Sequence, residues 1–125
     1  MLETRLTKLL GCRYPIVQTA MGWVADPKLV SASCNAGAIG FLAGATIPAD
    51  KVEANIQELK SLTDRPFGIN FHMYQPNAED IVDLVVSYKI AAVSYSRSPG
   101  KDMIRRLKKA DVVSVSYTHL RAHET

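Results

Sequence analysis

The chain has 125 residues, 47% hydrophobic and 22% charged, a composition that fits a soluble globular domain of modest size and excludes disorder and low complexity. Fifteen Lys and Arg against twelve Asp and Glu leave a formal charge of +3, spread along the chain except at Arg105, Arg106, Lys108 and Lys109, so no nucleic-acid-binding stripe is expected. No apolar run reaches the length of a membrane span or a secretory core, and Cys12 and Cys34 lack metal or CxxC spacing, so a cytoplasmic chain with buried thiols is expected.

Strand-like apolar runs alternate with amphipathic helical runs, the pattern of successive βα units on a parallel sheet. A short opening helix has Thr4 as its cap and Leu6, Leu9 and Leu10 on one side. Tyr14 to Gln18 reads as a first buried strand, and Asp26-Pro27 opens a helix with the Asp as N-cap and the Pro at the first helical position. That helix buries Leu29, Val30 and Cys34 and stops at Gly37, which tolerates a left-handed backbone. Ala38 to Leu42 is the second strand, followed by a helix from Asp50 to Leu62 with Val52, Ile56 and Leu59 on one face.

Phe67 to Phe71 forms the third strand, and Asn77 caps a helix striped by Ile81, Leu84, Val85 and Tyr88. Ala91 to Tyr95 is the fourth strand, Ser98-Pro99-Gly100 starts a helix through Met103, Ile104 and Leu107, and Asp111 to Val113 opens a fifth strand. The helices of the βα units are expected on one face of a curved sheet. Strand spacing of this kind serves either a β/α barrel or a doubly wound sheet.

The pattern breaks at Val115. The segment Val115 to Thr125 resembles a translated sequencing-library adapter along its whole length, so it is expected to be a non-native tail that packs poorly. Residues 1 to about 114 are then expected to be the front of a longer natural protein. His119 and His123, spaced like two ligands on one helical turn, fall in that tail and are discounted, as Leu120 stands where a zinc-protease motif needs Glu.

Three stretches carry a family resemblance: Thr4 to Ala25, Asn35-Ala-Gly-Ala-Ile-Gly-Phe-Leu-Ala-Gly44, and Leu62-Thr-Asp-Arg-Pro-Phe-Gly-Ile-Asn-Phe71. In order and spacing they resemble the nitronate monooxygenase (2-nitropropane dioxygenase-like) family and its flavin-type enoyl-acyl carrier protein reductase relatives. The resemblance implies an α/β fold, the N-terminal half of a (β/α)8 TIM barrel with about four βα units and the start of a fifth strand, since a whole barrel needs roughly 250 residues. It implies FMN as cofactor, a small nitronate as substrate, and monooxygenase chemistry in the whole enzyme.

Ala20, Met21 and Gly22 would offer backbone groups to the flavin, and Asn70 its side-chain amide, which can donate and accept. The family's catalytic His and its phosphate loops would lie beyond this chain, so the truncated chain is expected to be inactive. Met21 and Trp23 also fit plain packing, Asn70 a turn cap, and His72 a pocket-lining or turn position. The first rival is a flavin-type enoyl-acyl carrier protein reductase of the same fold with a nicotinamide as reductant; a rival of another class is a non-catalytic α/β module that binds a partner through its sheet edge, and the exposed edges of a half-barrel would also allow self-association.

Overall fold

The structure is a computed structural model and describes residues 2–96 and 100–117. Thr4 caps the first helix, α1 (Arg5–Leu10): its hydroxyl accepts from the Thr7 N–H while the Thr7 hydroxyl accepts from the Thr4 N–H, and Gly11 ends the helix with φ 72. Then come β1 (Val17–Gln18), α2 (Pro27–Asn35), β2 (Ile39–Ala43), α3 (Val52–Leu62), β3 (Gly68–His72), α4 (Ala78–Ser87), β4 (Ala92–Ser96), α5 (Lys101–Lys109) and β5 (Val113–Tyr117). The strands are all parallel and lie in chain order, β1-β2-β3-β4-β5, with a helix on every crossover. This is half of a (β/α)8 barrel, as expected.

Two apolar clusters lie on opposite faces of the sheet. On the convex face Leu42, Ile69, Phe71, Val93 and Tyr95 meet Val30, Cys34, Val52, Ile56, Leu59, Ile81, Val85 and Leu107 from the crossover helices. The Asp26 cap, the left-handed Gly37 (φ 106) and the Val52, Ile56, Leu59 stripe all stand where the sequence put them. The concave face is closed at its base by α1, a packing the sequence did not foretell: Leu10 and Cys12 sit against Ile39, Phe41 and Ala92.

Three expectations fail in detail. Residues 14–18 do not form a buried strand; only Val17 and Gln18 pair, with Ile16 59% and Val17 40% exposed. The N–H groups of Arg13 and Tyr14 both turn to the Gly37 carbonyl and Pro15 has none to give, so pairing starts late, and β1 is an edge strand with one open side. Asn77 occupies the N-cap position of α4 but does not cap it, because its side-chain oxygen accepts from Gln75 instead. Finally, β5 does not break at Val115: Val115, Ser116 and Tyr117 pair with Ser94, Tyr95 and Ser96, although Val115 and Ser116 remain exposed. Residues 118–125, with His119 and His123, and Ser98-Pro99 at the expected start of α5, lie outside the described residues.

Candidate functional site

In a parallel barrel the chemistry gathers at the C-terminal strand ends, where the loops meet. Side chains alternate between faces, so with Ile69 and Phe71 buried under the helices, Asn70 and His72 project from the concave face; Ser94 and Ser96, their register partners on β4, do likewise. Two cross-strand pairs result. The Asn70 Nδ2 donates to the Ser94 carbonyl at 3.2 Å and approaches the Ser94 hydroxyl at 2.9 Å, and the His72 Nδ1 lies 2.6 Å from the Ser96 Oγ. A carbonyl only accepts, so it fixes the amide's orientation and leaves Oδ1 as the atom Asn70 presents to the mouth.

The loop after β1 brings the second part of the site. The Met21 carbonyl accepts from the N–H groups of Val24 and Ala25, and the Trp23 N–H donates to the Thr46 hydroxyl at 3.1 Å, which itself lies 3.2 Å from the Ala43 carbonyl. This tight turn sets Trp23 in a left-handed conformation (φ 60) and leaves the residue 87% exposed. Among the described residues no hydrogen bond is donated by the backbone N–H of Ala20, Met21 or Gly22. A side chain at Gly22 would meet the Thr46 methyl at 3.0 Å, and one at Gly44 would strike the Asn70 carbonyl at 2.7 Å, so the loops after β1 and β2 lie close beside β3.

Asn70, in the middle of β3, and the Ala20 to Gly22 loop thus lie on adjoining loops and strands of the half-barrel. The Met21 carbonyl, by contrast, is turned inward by its own loop, so of that residue's backbone only the N–H is available to a ligand. Ser94, Ser96 and Thr46 were not singled out from sequence. The signal was present for the serines: in Ala92-Val-Ser-Tyr-Ser96 small hydroxyls alternate with large apolar residues, as on a strand with one polar face. Thr46 offered none, since its partner is a backbone group brought near by the fold.

Burial pushes the Cys34 thiol up, only partly offset by the Gly40 N–H that points at its sulfur; it belongs to the convex core and not to this site. Among the described residues no three His, Cys, Asp or Glu gather as a metal requires.

A family profile described as nitronate monooxygenase matches residues 3–122. The chain is 43% identical over 114 residues to the (3aS,4S,5R,7aS)-5-hydroxy-7a-methyl-1-oxo-octahydro-1H-indene-4-carboxyl-CoA dehydrogenase of Mycobacterium tuberculosis, covering 91% of this chain and 32% of that protein. It is 41% identical over 76 residues to the nitronate monooxygenase of Pseudomonas aeruginosa, covering 61% of this chain and 22% of that one. The chain therefore spans about a third or less of the curated relatives it matches.

Among solved structures, FabK from Thermotoga maritima superposes with a TM-score of 0.85 at 30% identity, over 93% of this chain and 37% of that one. A nitroalkane oxidase from Streptomyces ansochromogenes superposes with a TM-score of 0.75 at 28% identity, over 90% and 42%.

Proposed function

Because the chain belongs to the nitronate monooxygenase family, we propose that residues 1–114 are the N-terminal half of an FMN-dependent enzyme that oxidises alkyl nitronates with oxygen. Residues 115–125 are, on the adapter resemblance of their sequence, a non-native tail whose first three residues extend β5. The observation that carries this reading is an acceptor on β3, Asn70 Oδ1, whose amide is oriented by the Ser94 carbonyl, together with N–H groups of Ala20, Met21 and Gly22 in the loop after β1 that donate to no described residue.

That donor and acceptor set fits the polar edge of an isoalloxazine ring, and the small side chains of Ala20 and Gly22 let backbone approach it closely. Bound flavin supplies the electron acceptor through which a nitronate and oxygen give a carbonyl compound and nitrite. Asn70 orients the ring edge, Ser94 holds Asn70, and Thr46 holds the loop that presents the N–H groups. The phosphate loops of a barrel flavoenzyme come late in the barrel, after strands that lie beyond β5. The 125-residue chain is accordingly inactive, and its open edges, β1 and β5, favour pairing with a second copy. The whole enzyme is a cytoplasmic protein acting on a small molecule.

A flavin titration followed by aerobic consumption of ethylnitronate tests this. The full-length protein should bind FMN and release nitrite, and the 125-residue chain should do neither measurably. A full-length protein without FMN affinity would refute the proposal.

One observation favours a second reading. The relative aligned over 91% of the chain is a carboxyl-CoA dehydrogenase, whereas the nitronate monooxygenase aligns over 61%. Under that reading the same flavin-side residues serve oxidation of an acyl-CoA thioester. Flavin reduction under anaerobic conditions by a cyclic acyl-CoA, but not by ethylnitronate, would decide for it.

A further inference from the structure

We propose that His72 is a substrate-binding residue whose Nε2–H donates to an oxygen of the substrate's planar ONO group, with Ser96 holding the ring for that purpose. This rests on the flavoenzyme reading above and adds a residue that the cofactor does not need. His72 is anchored at both its backbone and its ring. Its backbone N–H donates to the Gln75 Oε1 at 2.7 Å, Gln75 in turn donates to the Asn77 Oδ1 at 2.6 Å, and the ring Nδ1 lies 2.6 Å from the Ser96 Oγ.

A turn residue requires only the first of these. The contact to Ser96 comes from the neighbouring strand and fixes the ring plane. If the Ser96 hydroxyl donates into Nδ1, the ring proton resides on Nε2 and that edge is a hydrogen-bond donor. The side chain is exposed on the concave side, and among the described residues no carboxylate forms an ion pair with it.

Position assigns the ligand. His72 follows Asn70 by two residues on the same face of β3, so it stands about 6.6 Å farther out along the strand. Groups held at Asn70 and at His72 then occupy successive layers on the concave face. A nitronate is anionic and carries its charge on two oxygens, and an N–H donated to such an oxygen makes a charge-assisted hydrogen bond.

The test uses nitrate, a planar anion with the same ONO edge, titrated into the FMN-loaded full-length protein and read from the flavin difference spectrum. His72→Ala should raise the nitrate Kd by about fivefold to tenfold. His72→Gln, whose amide donates from nearly the same point, should recover most of that loss, and FMN affinity should stay within about twofold throughout. In the 125-residue chain, nitrogen NMR of the neutral His72 ring should place the proton on Nε2, and Ser96→Ala should abolish that single tautomer. An unchanged nitrate Kd in His72→Ala, or a proton on Nδ1 in the parent chain, overturns the inference. If FMN binds but ethylnitronate does not reduce it, the nitronate reading falls and the nitrate titration still decides the role of His72; failure of FMN to bind overturns both.

Discussion

Asn70→Ala separates what the amide does for the fold from what it does for a ligand. In the fold it removes one clear neutral hydrogen bond, to the Ser94 carbonyl, and a second contact to the Ser94 hydroxyl, on a half-buried side chain. A net hydrogen bond contributes about 0.5–1.5 kcal/mol, and Ser94 is buried, so its carbonyl loses a donor without ready access to water and a loss of about 1–3 kcal/mol is expected. Urea denaturation of the parent and Asn70→Ala measures it, and adding Ser94→Ala and the double variant isolates the hydroxyl contact, since the carbonyl stays, with a coupling energy of about 0.5–1 kcal/mol.

Flavin affinity of the full-length protein reads the other atom. Loss of the Oδ1 acceptor should weaken FMN binding by roughly several-fold to tenfold, and Asn70→Leu should be worse because it adds bulk beside the ring. Asn70→Asp keeps an acceptor but puts a carboxylate against the Ser94 carbonyl, so it should cost stability while retaining part of the FMN affinity. If both Asn70→Ala and Asn70→Leu bound FMN as the parent does, with the fold intact by circular dichroism, Asn70 would be a cross-strand tie and no more.

Two further outcomes follow from packing and from charge. A Cβ at Gly68 would lie 2.6 Å from the Phe41 Cδ2, in the layer where Phe41 packs over β3, so Gly68→Ala should destabilise the chain by about 1–3 kcal/mol in urea, and Phe41→Leu should recover part of this. Burial raises the Cys34 thiol above its ordinary range, so the neutral form is favoured in the fold. Its contribution is full below the unfolded thiol pKa of about 8.5 and is lost as pH rises through the folded value. Cys34 should therefore resist iodoacetamide at neutral pH until the chain unfolds, and the stability lost on raising the pH should shrink in Cys34→Ala. Rapid alkylation of the folded chain would contradict this.

The crossover helices were legible because each is fixed by local chemistry: the Asp26-Pro27 start, the Gly37 stop and the Val52, Ile56, Leu59 stripe need no knowledge of what they pack on. Order and spacing of the strands were legible for the same reason. The face that Asn70 occupies was legible too, since alternation assigns it the side opposite Ile69 and Phe71, although it stands in the middle of β3 and not at its end.

Other features depend on distant partners. Val17 has the apolar, β-branched character of a buried strand residue yet is exposed, because burial of an edge strand is set by whatever lies on its open side. Asn77 has the capping side chain but gives its oxygen to Gln75, which is itself engaged by His72. The closure of the concave base by Leu10 and Cys12, the Trp23 to Thr46 hydrogen bond, and the pairing of Asn70 with Ser94 and His72 with Ser96 join residues 23 or more positions apart. Hydrophobic period and capping preference describe neighbours within a few residues, so they determined the elements. Which polar side chains meet at the mouth was decided by strand register, and register exists only once the sheet has formed.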